Sequence, residues 1–575
     1  MKSPDVTNRH RPRRRHGYFE PLESRVLLST VWDVTSTVDD ASIVGTLRNA
    51  IVNSQAGDIV QFDPAVFTPG ALHTIALNGT DLAINHDLTI QGPGAGVLAI
   101  NGSGNSASTP PVPASRIFEI DGGATVVMSG LTVTGGQEAL DASGQGGGIL
   151  DSFSVLTLNN CTITGNSAGN GGGIYNIGGT VTLSGSTLSN NSAPNGFGGG
   201  IYSHGNLNVT NSTIAGNSAN STDPTNPGSG GGIFLINGST EITGSTFSGN
   251  LATNGMGGAI FAGGGVSITN STFAGNSAAQ GGAAFDDGDL LITNCTVDGN
   301  SASSGGGIYI DVGEASAYNS IVAGNFEPTT PSVPDDVFNL FDVDYSNPGG
   351  ASQPLGNGPS SYNIIGDANT SGGLIDGMNH NIVGHDPKLA PLANYGGPTQ
   401  TMALFAGSPA LDGGSTALAV DDRNNPLSTD QRGLQRVFGK SVDIGAYEAQ
   451  PPALAGDVNH DGTVNFTDLV ILAQHYNFSN VPLYENGDLT GDGIVNFNDL
   501  VILAQNYGKS APAPAAAAVF ATSAIRPQIS SDSLSSDSSD GVGSGADSKA
   551  RPSHAKTRGR SHHSGVGRPA NLLAH

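Results

Sequence analysis

The stretch Gly171-Gly172-Gly173-Ile174-Tyr175-Asn176-Ile177-Gly178-Gly179-Thr180-Val181-Thr182-Leu183-Ser184-Gly185-Ser186-Thr187-Leu188-Ser189-Asn190-Asn191 recurs, with changes, along the chain. Aligned on its last asparagine it gives Asn166, Asn191, Asn217, Asn250, Asn276, Asn300 and Asn325, separated by 25, 26, 33, 26, 24 and 25 residues. A second ladder keeps step: GGGIL from Gly146, GGGIY from Gly171 and Gly198, GGGIF from Gly230, GGAIF from Gly257, GGAAF from Gly281 and GGGIY from Gly305. Two phased ladders of this period mark a repeat architecture, in which each unit buries its apolar face only by stacking on the next.

Inside each unit, segments such as Val181-Thr182-Leu183 and Val266-Ser267-Ile268 alternate with the period of two that belongs to strands, and Gly/Asn clusters separate them. Three short strands and three turns consume about 24 residues, and coils stacked at roughly 4.8 Å let backbone N–H and C=O groups pair with the coils above and below. The expected fold class is therefore all-β: a right-handed parallel β-helix, or solenoid, followed by a small α-helical module. Five residues before each Asn stand Cys161, Ser186, Ser212, Ser245, Ser271, Cys295 and Ser320; three before stand Ile163, Leu188, Ile214, Phe247, Phe273, Val297 and Val322. Like side chains then stack inside the coil. Asparagine tolerates the left-handed turn conformation, and its amide both donates and accepts along a stack. The two cysteines fall on coils roughly 24 Å apart at one strand spacing per coil, so they are expected to be free and buried.

Charge narrows the partners. Of the 22 Lys/Arg in this 575-residue chain, seven lie in the first 25 residues and seven in residues 511–575, leaving eight in the body against 41 of the 48 acids. A nucleic acid or anionic membrane would meet repulsion there, so cations, neutral glycans and proteins are the expected partners. No apolar run reaches the length of a transmembrane helix, and the N-terminus lacks the apolar core of an ordinary signal peptide.

Arg13-Arg14-Arg15 followed by Phe19-Glu20-Pro21-Leu22-Glu23-Ser24-Arg25-Val26-Leu27-Leu28-Ser29 resembles the Leu-Glu-x-Arg-x-Leu-Leu leader of large planctomycete surface proteins. That implies export to a secreted or cell-surface location. Gly257-Gly258-Ala259-Ile260, Phe247-Ser248-Gly249-Asn250 and Phe273-Ala274-Gly275-Asn276 resemble the GGAI and FxxN repeats of chlamydial polymorphic outer-membrane proteins, a family that uses its β-helix in adhesion. Most coils here carry Ile, Leu or Val in place of Phe. Asn394-Tyr395-Gly396-Gly397-Pro398-Thr399, Gly407-Ser408-Pro409-Ala410-Leu411-Asp412, Thr429-Asp430-Gln431-Arg432-Gly433 and Val442-Asp443-Ile444-Gly445-Ala446-Tyr447-Glu448 resemble the choice-of-anchor Q segment of bacterial surface β-helix proteins, which implies surface display. The expected organisation is a basic export leader at 1–30, an N-terminal cap and first coils at 31–145, with a short helix around Thr46–Ile51 closing the open end, and regular repeats at 146–330. C-terminal coils and the anchor-like segment follow at 331–449, the small module at 450–510 and a disordered tail at 511–575.

That module carries a duplicated loop-helix: Asp457-Val458-Asn459-His460-Asp461-Gly462-Thr463-Val464-Asn465-Phe466-Thr467-Asp468 and Asp488-Leu489-Thr490-Gly491-Asp492-Gly493-Ile494-Val495-Asn496-Phe497-Asn498-Asp499. Calcium takes about six to eight oxygens, and this spacing offers side chains from positions 1, 3, 5 and 12, a carbonyl from 7 and a water through 9, with Gly at 6 for the sharp turn. The position-12 carboxylate also meets the positive end of the following helix dipole. With Asp at position 12 and the helices LVILAQHYN and LVILAQNYG 31 residues apart, the pair resembles a type I dockerin. The resemblance implies calcium on Asp457, Asn459, Asp461, Thr463, Asn465 and Asp468, and on Asp488, Asp492, Ile494, Asn496 and Asp499. Thr490 departs from the usual Asn/Asp at position 3 and weakens the second site. A cohesin-like partner would be met through Phe466, Thr467, Phe497 and Asn498 at positions 10 and 11.

Parallel β-helices also host polysaccharide-degrading enzymes, and dockerins often sit on them. Between Arg116 and Lys388 there is no Lys or Arg, so the regular repeats lack the base that a lyase of this fold needs. A glycoside hydrolase needs convergent carboxylates, for which Asp286, Asp287 and Asp311, with Asp289 and Glu314 nearby, are the candidates. The polygalacturonase pattern is incomplete, with Ser203-His204-Gly205 in place of Gly-His-Gly and no Arg-x-Lys. The acids therefore read as a solvated edge or weak cation site, and the first expectation is a binding and display protein.

Overall fold

A computed structural model describes residues 29–104, 111–141, 143–221, 223, 225–312, 314–339, 360–452 and 454–510. The expected leader, apart from its last two residues, and the expected tail lie outside the described residues. Among the described residues, three parallel sheets of eleven, ten and twelve strands run from Val31 to Val383, each coil giving one short strand to each sheet. The coil at residues 174–189 is typical: Ile174–Ile177, Thr180–Ser184 and Thr187–Ser189 pair in register with Ile201–Ser203, Asn206–Thr210 and Thr213–Ala215 of the next. This is a parallel β-solenoid. Its interior is one apolar column, from Val34 and Ile51 through Leu158, Ile214 and Phe247 to Ile365 and Val383. A seven-residue helix, Leu47–Asn53, capped by Thr46, buries Leu47, Ala50 and Ile51 in the first end of that column. No helix among the described residues is long and apolar enough to cross a membrane.

The asparagine ladder forms as one continuous chain of hydrogen bonds. Each amide Nδ2 donates to the next Oδ1: Asn166 to Asn191 at 2.9 Å, Asn191 to Asn217 at 3.0 Å, Asn217 to Asn250 at 3.0 Å, and so on to Asn300–Asn325 at 2.9 Å. The same Oδ1 accepts the backbone N–H of the preceding rung, and Nδ2 also reaches a strand carbonyl one coil back. Asn325 hands the ladder to Asp336, whose carboxylate accepts at 3.0 Å and is pushed up to about 6 by burial. The serine ladder works by hydroxyls, Ser212 N–H donating to Ser245 Oγ at 3.2 Å, for example. Cys161 and Cys295 occupy two of its rungs as free, buried thiols.

One expectation is corrected. The ladder asparagines do not adopt the left-handed conformation themselves; the residue before each of them does. Gly165, Asn190, Gly216, Gly249, Gly275, Gly299 and Gly324 all have positive φ, and so do Asn160, Gly185, Asn211, Gly244, Asn270, Asn294 and Asn319 before the Ser/Cys rungs. The left-handed residue turns the corner and aims the next side chain inward, which is why Gly and Asn alternate there.

On the outer face of the second sheet Tyr175, Tyr202, Phe234, Phe261, Phe285, Tyr309 and Phe338 stack at centroid spacings of 4.6 to 5.4 Å. In-register parallel pairing sets that spacing, close to the strand separation.

Besides Asp336, the solenoid buries further acids, among them Asp151 and Asp286. Asp151 is fully buried with no side-chain hydrogen-bond partner among the described residues, and burial pushes its carboxyl up to about 7 against the opposing pull of the Ser154 backbone N–H. Asp286, five coils on, is likewise at about 7, raised first by burial and then by Asp289 and Asp287.

Residues beyond 383 leave the stack. Strands at Ile364–Ile365 and Ile382–Val383 end it, and residues 387–450 turn back along the outside of the third sheet. Gly244 accepts from Thr399 at 2.8 Å, Thr272 Oγ1 donates to Gln431 at 2.6 Å, and Thr296 Oγ1 accepts from the Ala446 N–H at 3.1 Å. Residues 387–450 thus form a lateral cover laid over the coils.

Two measurements test this account. Asn217→Ala removes one rung that accepts two and donates two hydrogen bonds, and it is expected to lower stability by about 2–4 kcal/mol in a denaturant titration. A loss comparable to a surface substitution would refute the ladder's role. Because the raised carboxyls of Asp151 and Asp286 bind protons more tightly folded than unfolded, the stability these two groups contribute falls as pH rises from about 4 to about 7. Asp151→Asn, which cannot ionise, should gain on wild type across that window by up to about 4 kcal/mol and then level off. A difference that stays constant with pH would contradict it.

Candidate functional site

The duplicated loops each lead into a helix, Phe466–Gln474 and Phe497–Asn506. Asn465 and Asn496 are the N-caps, and Asp468 and Asp499 close reciprocal capping boxes, so both helix starts are fixed by the loop's last residues. Val458, Val464, Leu472, Val481, Leu489, Val495 and Leu503 form a small core between the two halves. Each loop pairs with the chain beyond the other helix: the Val464 N–H donates to the Lys509 carbonyl and the Val464 carbonyl accepts from the Gly508 N–H, while Val495 exchanges with Asn477 and Phe478. The halves are thereby related by an approximate two-fold.

Their hydrogen bonds repeat as closely. Asp457 Oδ2 accepts from Gly462 N–H at 2.8 Å and Asp488 Oδ2 from Gly493 N–H at 2.9 Å. Asp468 Oδ1 accepts from Val458 and Asn459, and Asp499 Oδ1 from Leu489 and Thr490. In the first loop Asn459 Nδ2 donates to Asp461 at 2.9 Å, Thr463 Oγ1 to Asp461 at 2.7 Å, and Asn465 Nδ2 to Thr463 at 2.8 Å. Positions 3, 5, 7 and 9 thus form one linked chain of oxygens and amides beside the position-1 carboxylate. In the second loop Thr490 turns its hydroxyl onto Asp488 at 3.2 Å, and Ile494 N–H donates to Asp492. No three His, Cys, Asp or Glu side chains converge at metal-ligand distance among the described residues.

The electrostatics nonetheless suit a hard cation. Asp457, Asp468, Asp488 and Asp499 are all buried, and desolvation raises the carboxyls of Asp457 and Asp488, the first also by facing Asp468. His460 is the one group whose charge would offset Asp457, and the hydrogen-bond donors facing Asp488 are backbone N–H groups and the Thr490 hydroxyl. Buried carboxylates without a paired cation are unfavourable, and an all-oxygen donor set matches calcium chemistry. Phe466, Thr467, Phe497 and Asn498 are exposed on the first turns of the two helices. Phe466 keeps 66% and Phe497 64% of its surface in solvent.

Sequence reasoning missed how the module is held. Its interhelical segment enters the lateral cover: Leu483 N–H donates to Leu404 at 3.0 Å and Pro482 bridges Phe405. Glu485 accepts from Tyr447 Oη at 2.7 Å and pairs with Arg432 at 3.2 Å. Arg432, fully buried, also pairs with Asp430 at 2.9 Å, donates to the Glu448 carbonyl at 2.6 Å, and lies 3.7 Å over the Tyr447 ring. Glu485 Oε2 further lies 3.6 Å from His460 of the first loop. Arg432 and Tyr447 belong to the motifs that marked the anchor-like segment, but no local pattern ties them to Glu485.

The acids of the repeats do not converge. Strand alternation turns Asp286 into the interior and leaves Asp287 exposed, while Asp311, half-buried, lies one coil away beyond Ile310. Asp286 is therefore not part of a solvated edge, and the three carboxylates do not face one cleft.

Residues 455–507 match the family described as dockerin type I domain, and residues 201–327 match the right handed beta helix region. Among solved structures the chain is similar to one titled "Crystal structure of pectate lyase Pel9A", at 14% identity and a TM-score of 0.38, covering 73% of this chain and 97% of that one. A comparison with curated proteins finds no match.

Glu485→Gln leaves Arg432 buried with one carboxylate fewer, and the full chain is expected to lose on the order of 3 kcal/mol in thermal or denaturant melts. An unchanged melt would mean that the module is not anchored through this pair.

Proposed function

We propose that this is a secreted or cell-surface protein whose solenoid is a rigid binding and display rod, attached to a cohesin-like partner by its calcium-dependent dockerin module. The observation that carries the reading is the duplicated loop-helix, in which two buried position-1 carboxylates and two buried position-12 carboxylates stand without paired side-chain cations around an oxygen-only set. Calcium would be held by Asp457, Asn459, Asp461, Thr463, Asn465 and Asp468 in one loop, and by Asp488, Asp492, Asn496 and Asp499 with the Ile494 carbonyl and the Thr490 hydroxyl in the other. It would supply the positive charge that these buried carboxylates lack. Phe466 and Thr467, with Phe497 and Asn498, would present the partner-binding surface. Enzyme action on polysaccharide is the lesser reading, because Asp286 is turned into the interior, away from the exposed Asp287 and the half-buried Asp311 in line with it on the next coil.

Calorimetry on the full chain should detect about two calcium ions, one per loop, and Asp457→Ala/Asp488→Ala should abolish the heat. Immobilised cohesin domains should retain the wild type in calcium and release it in EDTA. Absence of calcium heat, or retention unaffected by EDTA, would defeat the attachment reading.

A further inference from the structure

Residues 29–387 contain only two Lys or Arg side chains, Arg48 and Arg116. Both serve one place, a cleft of about 650 Å³ near the N-terminal end of the solenoid. Its walls are three stacked turns, Gly79–Asp81, Ala114–Arg116 and Gln137–Ala139. Phe118 pairs with Ile149, so Arg116 holds the corner position that Gly147 holds one coil later. Where the regular repeats close this corner with glycine, the first coils line it with charged side chains.

The cleft is a built one. Arg48, paired with Asp39 at 2.7 Å, donates to the carbonyls of Asp81 at 2.6 Å and Thr80 at 2.8 Å, which fixes the first wall. Arg116 donates from Nη2 to the Gln145 carbonyl at 2.9 Å and from Nε to the Gln145 and Gly146 carbonyls at 3.2 Å, which leaves its Nη1 side towards the cleft's carboxylates. Its Nη1 donates a long hydrogen bond to Glu119 at 3.4 Å, and Asp81 at 3.5 Å and Glu138 at 3.7 Å stand around the same guanidinium. Burial raises the Glu119 carboxyl, as does a hydrogen bond with Asp81. Ser115, nine-tenths buried, lines the same cleft, and its Oγ has no hydrogen-bond partner among the described residues.

We propose that this cleft binds a neutral, hydroxyl-rich ligand, a glycan segment, with Arg116 as central donor, Asp81 and Glu138 as acceptors, and Ser115 as a further polar contact. The proposal deepens the reading of the solenoid as the ligand-binding part of the chain and rests on it. A rigid guanidinium fork flanked by carboxylates offers fixed donors and acceptors at the spacing of sugar hydroxyls. Three carboxylates around one guanidinium leave an excess of negative charge, which disfavours uronates and phosphates. The volume lies within the range of small-ligand sites.

The full chain, titrated calorimetrically with cellohexaose, xylohexaose and mannohexaose, is expected to bind at least one of them. Arg116→Gln and Glu138→Gln should each weaken that binding by about tenfold or more, the loss of one hydrogen bond to a charged group. Circular-dichroism melts check folding, and should Arg116→Gln fail to fold, Glu138→Gln decides alone. Binding that neither substitution weakens would leave the solenoid a glycan binder at another face and overturn the cleft. Preference for hexagalacturonate over the neutral sugars would overturn it too. No binding of any neutral hexasaccharide would remove both the cleft and the binding role of the solenoid. Calcium-dependent retention on cohesin, measured on the same variants, should stay at the wild-type level.

Discussion

The structure depends on one constraint: coils stacked in parallel at a single strand spacing must satisfy each other's inward polar groups, because water does not reach them. Parallel pairing puts the same position of every coil in line. A residue that both donates and accepts along that line can then be repeated, which is what Asn166 through Asn325 do and why the ladder ends in an acceptor, Asp336. Serine meets the same demand with one hydroxyl, and the phenyl and phenol rings outside the second sheet fill their line by stacking. A carboxylate meets it poorly. Asn176, in line with Asp151 on the next coil, spends its amide on Ser203 and two carbonyls instead, and burial raises the proton affinity of Asp151.

What could be read from the sequence follows from that line-up. The asparagine, serine and aliphatic ladders were legible because in-register stacking copies a spatial column into a sequence period, and the twelve-residue loops were legible because their ligands are local. The identity of the left-handed residue was less so: Asn190 and Asn191 are adjacent and chemically alike, and only the backbone separates the corner from the rung. The direction of Asp286 against Asp287 also hinged on a single position of strand register, since a shift of one residue exchanges inside for outside.

The remainder was illegible because it joins segments far apart in the chain. Glu485 lies 53 residues from Arg432, and Thr272 lies 159 from Gln431. Threonines 246, 272 and 296 are buried where Thr187 and Thr213, at the same repeat position, are only half-buried. Nothing in the repeat itself distinguishes the covered coils from the bare ones. The Arg116 cleft is hidden for a related reason: its three turns come from coils whose lengths have not yet settled to the regular period, so its residues share no ladder.

These features together fix the relation between the two ends of the molecule. The lateral cover first touches the solenoid at Glu241, Gly244 and Thr246, whereas the cleft ends at Ala139, and the coils of Thr162, Thr187 and Thr213 lie between. Those coils are joined by the asparagine chain without a break, and the cover is joined to the loop-helix module by Arg432, Tyr447 and Glu485 rather than by a bare linker. Glu485 sits three residues before Asp488, and its backbone carbonyl accepts the Asp488 N–H at 3.0 Å. The group that anchors the module therefore also supports the start of its second loop. Ordering that loop and seating the module on the rod are parts of one hydrogen-bond network, so a partner that grips the module takes hold of the whole solenoid in one orientation.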